Sequence, residues 1–323
     1  MFRTEIHIPP NTDKISLNKP LLTLGSCFAD IIGQKLEDHK FEIIANPFGT
    51  IYNPVSIFSL LRLSVLNQKP AADTFLVQNG VHKNYLFHSE ISALTEPELQ
   101  NIIKSRIEKV HQLIPRLEWM MVTLGTAFSY LHHELDLLVA NCHKVPSSFF
   151  KKELLDVEQI VESFGGIYQL IHKVNPNLKW ILTVSPVRHI RDGLVQNSLS
   201  KSILRVAIDK IVRKYPTCTY FPSYELIIDD LRDYRFYSQD MIHTNSTAEE
   251  YVWEQFCSCF MDQETIGFIK AWDEILKAKN HRPFHPGSAQ HQQFLRKTIE
   301  KLNGLSKITN VSNEIDHFKK RLT

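Results

Sequence analysis

Two short segments far apart in the chain carry the residue types needed for acyl transfer. Gly25-Ser26-Cys27-Phe28-Ala29 places a hydroxyl and a thiol directly after an apolar run, and Asp240-Met241-Ile242-His243 places a carboxylate three residues before an imidazole. A neutral serine is a weak nucleophile and needs a base within hydrogen-bond reach. A histidine can take its proton and return it to the leaving group. An acidic residue three positions earlier on a turn can hold that ring in one tautomer, which assigns Asp240 to His243. Ser26 and Cys27 are neighbours whose side chains diverge, so only one can face a site, and serine is the favoured nucleophile. The rival base is His189, which follows Ser185-Pro186-Val187-Arg188 but has its nearest acid, Asp192, after it. The non-catalytic alternative makes Asp240 a helix N-terminal acid and leaves His243 solvated.

Such residues need elements that bring them together. Five apolar runs of strand length end at turn signals: Leu21 to Leu24 at Gly25, Phe41 to Ala45 before Pro47, Trp119 to Leu124 at Gly125, Trp180 to Val184 before Pro186, and Cys218 to Phe221 at Pro222. Segments with helical spacing lie between them, at 30–38, 96–114, 154–174, 199–214 and 247–260. Alternating strands and helices imply βαβ units, hence a parallel sheet covered on both faces. Right-handed crossovers narrow this to an α/β three-layer α/β/α sandwich with the first strand near the centre and a five-stranded flavodoxin-like order. Residues 1–263 form the expected catalytic domain. Residues 264–323 read as a helical extension, with amphipathic helices at 264–279 and 290–303 and a partly mobile tail from Ser306, suited to packing on the core or on a second copy in a homo-oligomer.

Every strand of an open parallel sheet ends at one edge, where ligands bind. The turns there supply Ser26, then Asn46, Gly49 and Asn53, then Gly125 and Thr126, then Arg188 and His189, and finally Asp240 and His243. Arg188 could bind a substrate carboxylate or pair internally. Asparagines before proline also start turns and cap helices, a structural use that Asn46 and Asn53 share.

Composition excludes several classes. Lysine and arginine number 37 against 35 acids, which makes no electrostatic case for nucleic acid or an anionic membrane. The start at Met1 to Pro10 shows no export signal, and no apolar run is long enough to span a bilayer. Five irregularly spaced cysteines, Cys27, Cys142, Cys218, Cys257 and Cys259, fit reduced thiols in a cytoplasm. Cys257 and Cys259 lie within an apolar helical pattern with no second ligand pair, so no metal is expected. No phosphate loop or dinucleotide fingerprint follows any strand, so no cofactor is implied. Leu24-Gly25-Ser26-Cys27-Phe28 also lacks the second glycine of an α/β-hydrolase elbow.

The stretch Leu21 to Pro54, the run Thr123 to Ala127, Ser185 to His189, and Asp233 through His243 together resemble the GSCFA family, named for the motif present at Gly25 to Ala29. That family is similar to the wider SGNH or GDSL-like hydrolases. The resemblance implies a serine esterase acting on O-acyl esters, including O-acetyl carbohydrates, with Ser26 as nucleophile, Gly49 as backbone oxyanion donor, and Asp240 and His243 as acid and base. The same acyl-enzyme could pass its acyl group to a sugar hydroxyl. One departure stands out: where the wider group has an oxyanion asparagine two residues after the third-strand glycine, this chain has Ala127. Asn46, Asn53 and Thr126 are the candidate replacements. Without one, the loss of a donor typically costs about 2.7–4 kcal/mol of transition-state stabilisation, and a binding protein that retains the pocket becomes an alternative.

Overall fold

A computed structural model describes residues 4–322, which leaves Met1 to Arg3 of the opening segment and Thr323 of the tail outside the described residues. In chain order its elements are β1 (Leu21–Gly25), α1 (Cys27–Asp38), β2 (Ile43–Ala45), α2 (Pro54–Val65), the hairpin β3 (Phe75–Gln78) and β4 (Val81–Asn84), and α3 (Glu96–Leu113). Next come β5 (Trp119–Leu124), the small strands β6 (Phe128–His132), β7 (Leu137–Val139) and β8 (Phe150–Leu154), α4 (Val157–His172), β9 (Lys179–Val184) and α5 (Leu194–Lys214). The chain continues through β10 (Cys218–Tyr220), a short α6 (Ser223–Glu225), α7 (Ser246–Phe260), α8 (Gln263–Asn280), α9 (Ala289–Leu305) and α10 (Ser312–Lys319).

All five apolar runs enter one parallel sheet in the order β2-β1-β5-β9-β10, the expected flavodoxin-like arrangement. Alternation along each strand divides its side chains between two layers. Leu22 and Leu24 of β1, Met120 and Val122 of β5, and Trp180 and Leu182 of β9 pack against α2, α3, α4 and α5. Leu21, Trp119, Met121 and Ile181 face the other way, onto α1, α7 and α8. The sheet is therefore covered on both faces, which is why its strands are apolar at nearly every position.

Four features differ from the sequence expectation. Helix α2 lies outside the helical segments read from spacing; Asn53 caps it by accepting from the Ser56 N–H at 2.8 Å, and Pro54 occupies the first turn, where its missing N–H costs nothing. A three-stranded antiparallel sheet, β7-β6-β8, extends from the third turn, and β3–β4 form a separate hairpin. The tail, expected to be partly mobile, instead forms α10 and buries Phe318 in the same apolar cluster as Trp272, Leu295 and Leu302.

The C-terminal helices grip one end of α1. Trp272 Nε1 donates to the Asp38 carbonyl at 2.7 Å, His39 Nε2 lies 2.9 Å from Asp273, and Lys40 pairs with Glu314 at 2.5 Å. Among the described residues no helix is long and apolar enough to cross a membrane. Cys257 and Cys259 are buried along α7, packed into the core as their apolar setting implied.

Candidate active site

The turn from β1 into α1 is built around Gly25. Its φ of +127° lies where side chains are rarely tolerated, and a Cβ there would sit 2.1 Å from the Thr123 carbonyl oxygen on β5. The Gly25 N–H donates to Asn46 Oδ1 at 2.8 Å, and its carbonyl accepts from Ile51 at 2.9 Å. Ser26 follows as the N-cap of α1, a position where serine ordinarily bonds a first-turn N–H. Here it forms no side-chain cap, and its buried Oγ has no hydrogen-bond partner among the described residues. An unpaired buried hydroxyl costs about 1–3 kcal/mol, and a group left so in a folded protein calls for a reason.

Ser26 borders a cleft of about 400 Å³ at the carboxyl edge of the sheet, and Gly125, Thr126, Arg188, His189 and His243 line it too. His243 sits on a loop closed by the Tyr237–Thr244 bridge and by Ser238 N–H donating to its carbonyl at 2.8 Å. Its Nδ1 is 2.6 Å from Asp240 Oδ2, while Asp240 Oδ1 accepts from the N–H groups of Ile242 and His243 at 2.9 and 3.0 Å. The His243 bond and these two N–H groups hold the Asp240 carboxyl down to about 2, so it is ionised across the neutral range. The pair is open to solvent, with His243 52% and Asp240 45% exposed. Ser26 and His243 share the cleft without a hydrogen bond between them. Arg188 links the fourth turn to this loop by lying over Tyr237 at 4.7 Å and Tyr234 at 5.5 Å.

His189 reaches the same cleft. Burial is the main reason its pKa is pushed down to about 4, with Lys201 adding to the effect, and its Nε2 is buried without a partner among the described residues. Asp192 stands 3.7 Å from its Nδ1, an ion-pair distance rather than a hydrogen bond. The tightly oriented Asp-His pair is therefore Asp240–His243.

Other sequence candidates are committed elsewhere. Gly49 donates its N–H to Asn46 O at 2.8 Å, and a Cβ on it would meet His88 Cβ at 2.4 Å, so it serves a tight turn outside the cleft lining. Asn46 is held between Gly25 and Asp30, and Asn53 caps α2. Thr126 lines the cleft, but its hydroxyl contacts Ser200 Oγ at 3.1 Å and accepts from Phe128 at 3.0 Å. Ala127 is buried, and its N–H donates to Ser200 Oγ at 2.8 Å. The Ser26 N–H also has a partner, Thr123 O at 3.1 Å. The first N–H groups of α1, on Cys27 and Phe28, have no acceptor within the helix, as at any helix start.

Sequence reasoning missed Lys201. It lies on α5 and is 1% exposed, with Nζ donating to Gly125 O at 2.6 Å and Ser185 O at 2.7 Å. It thereby ties together the ends of β5 and β9, both of which border the cleft. Burial pushes its pKa down to about 7, with Cys27 acting the other way. The readable signal was its place in the buried stripe Asn197, Ser200, Lys201, Leu204, Ile208 and Ile211, where a lysine must find partners inside. An unfolded lysine keeps its proton to about pH 10.4, whereas this one releases it near 7, so the unfolded chain binds more protons between those values. The contribution of Lys201 to stability must then rise with pH across that window, by up to about 1.4 kcal/mol per pH unit. Urea unfolding at pH 7, 8 and 9 should show wild type gaining on Lys201→Met at each step; parallel curves would contradict the assignment.

Comparison with protein families gives two matches: the GSCFA family over residues 20–256, and the GSCFA domain protein C-terminal domain over residues 272–323. A comparison with curated proteins gives no match. The first match spans the whole sheet, the Ser26 turn and the Asp240–His243 loop, and the chain belongs to the GSCFA family.

Proposed function

We propose that this protein is a serine esterase of the SGNH type, acting on O-acyl esters such as O-acetylated carbohydrates. The observation that carries this reading is the Ser26 hydroxyl. It stands at a helix N-cap yet caps nothing, beside a cleft that also presents an oriented Asp-His pair. In the reaction His243 Nε2 takes the Ser26 proton as Oγ attacks the ester carbonyl. The ester C–O bond breaks, the alcohol leaves with that proton, and water then releases the acid by the reverse sequence. His243 must first come within hydrogen-bond reach, a tightening that free enzymes commonly leave to substrate binding. Ser26 and Gly49 both have engaged N–H groups, so the oxyanion falls to the start of α1, where the Cys27 N–H and the helix dipole favour negative charge. The chemistry asks no cofactor of the site, and five unpaired thiols suit a reducing cytoplasm.

Two other readings have an observation each. A second cavity adjoining the cleft leaves room for an acceptor larger than water and favours acyl transfer to an alcohol. The engaged N–H groups at Ser26 and Gly49 favour a binding protein without turnover. Treatment with a fluorophosphonate followed by peptide mass spectrometry separates catalyst from binder. The expected result is a single adduct on Ser26. An adduct on another residue, or none, overturns the serine hydrolase reading.

A further inference from the structure

The cleft at Ser26 continues into a cavity of about 700 Å³, and the two share Tyr52, Tyr130, Arg191 and Asp192 along their junction. The β6-β7-β8 sheet and the loop after β7 form much of its wall. That loop is held firmly: Ala140 and Asn141 donate to Tyr85 O at 2.9 and 3.2 Å, and His143 Nε2 lies 2.8 Å from Asn84 O. His143 and Lys144 both have positive φ, +50° and +62°, a conformation kept in non-glycine residues only where the surroundings enforce it. The outcome of this strain is a pinned turn that places Lys144 at the cavity wall.

Charge in the joined cavities is one-sided. Lys144, Lys152, Arg188 and Arg191 line them, against the single carboxylate of Asp192, which is already paired with Lys152. Arg188 rests on tyrosine faces, and neither Arg191 nor Lys144 has an ion pair or side-chain hydrogen bond among the described residues. In a chain with 37 basic and 35 acidic side chains, such a local excess is a property of the groove and not of the composition. Guanidinium groups that lack carboxylate partners suit bidentate capture of a carboxylate or phosphate. The tyrosines beside them offer flat apolar faces for a ring.

We propose that the second cavity is an anion subsite, and that the alcohol portion of the ester carries a carboxylate or phosphate held by Arg191. This rests on the esterase reading for its catalytic test and on binding alone for an independent one. Arg191 is exposed and its side chain holds nothing else in place, so Arg191→Gln removes the charge without disturbing the fold.

The kinetic test compares kcat/KM for 3-acetoxybenzoate, 3-acetoxyphenyl phosphate and neutral 3-acetoxybenzamide at low and high salt. The anionic esters should be preferred about tenfold or more, the preference should shrink with salt, and Arg191→Gln should erase most of it while leaving the neutral ester within twofold. Whichever anionic ester is turned over better identifies carboxylate or phosphate as the natural group. Equal kcat/KM for all three, or an equal loss on all three in the variant, overturns the proposal. Calorimetry with 3-hydroxybenzoate, 3-hydroxyphenyl phosphate and 3-hydroxybenzamide covers the case of no turnover. Anion-selective binding lost in Arg191→Gln upholds the subsite even where fluorophosphonate labelling fails, whereas unselective or absent binding overturns it.

Discussion

Ser26→Ala is expected to lower ester hydrolysis by about 10⁴-fold or more and to abolish fluorophosphonate labelling, while leaving the protein at least as stable as wild type. On the proposed esterase reading, the activity loss follows from removing the atom that would form the acyl bond, since what remains after loss of a triad member is only the contribution of binding and oxyanion stabilisation. The stability expectation comes from the same atom. Ser26 Oγ is buried with no partner, so the alanine variant forfeits no hydrogen bond and removes an unpaired polar group. A serine engaged in ordinary N-capping would show the opposite signature, a loss of about 1 kcal/mol. Cys27→Ala is the control. Burial raises the Cys27 thiol pKa above its ordinary value despite opposing help from nearby N–H groups and Lys201, so little thiolate forms at neutral pH. Its removal should leave hydrolysis within a few-fold. Paired urea unfolding and initial-rate measurements on the three proteins check all of this, and a destabilised, still active Ser26→Ala would assign the serine to the fold alone.

Gly25→Ala is expected to destabilise the protein by more than about 4 kcal/mol, a large part of the 5–15 kcal/mol that holds a typical domain. Two costs combine. The backbone would have to hold alanine at φ +127°, and the new methyl would lie 2.1 Å from a carbonyl oxygen of the adjacent strand. The second is the larger, because relief requires β1 to separate from β5 where Gly25 pairs with Thr123. Gly166→Ala on α4 provides the contrast. Beyond its chain neighbours and its own helix backbone, no atom lies within 4 Å of the point its methyl would occupy, and alanine in a helix interior is favoured over glycine by about 0.5–1 kcal/mol, so this variant should gain stability. Urea midpoints moving in opposite directions for the two substitutions would meet the expectation; a small loss in Gly25→Ala would refute it.

The inner strands of the central sheet were legible because both faces are buried, which turns each into a mostly apolar run closed by Gly or Pro, and the half-buried edge strands β2 and β10 end at the same signals. The small sheet β7-β6-β8 was not, since β8 reads Phe-Lys-Lys-Glu-Leu and gains its place from pairing with β6, a partner over twenty residues earlier. The same contrast runs through the site. Ser26, Asp240 and His243 show themselves by type and spacing, and the structure sets Ser26 and His243 on one cleft. Gly49, Asn46 and Asn53 had the right types on the right turn, but whether their polar groups face a ligand or their own backbone depends on contacts that spacing does not encode. Lys201 was hidden for the reverse reason: a charged residue in an amphipathic helix is ordinarily solvated, and only the two carbonyls at the sheet edge make its burial possible.

Helix α1 has Ser26 at its start and the C-terminal helices at its end. Residues 38–40 meet Trp272, Asp273 and Glu314 there, across a hydrogen bond, a histidine–carboxylate contact and an ion pair. These contacts join the segments matched by the two family models. A chimera that takes residues 272–323 from a relative would therefore import the wrong clasp unless positions 38–40 travel with them. Within the family, the two segments should be inherited as a matched pair, and the seam at which they can be exchanged lies at the far end of the helix that Ser26 begins.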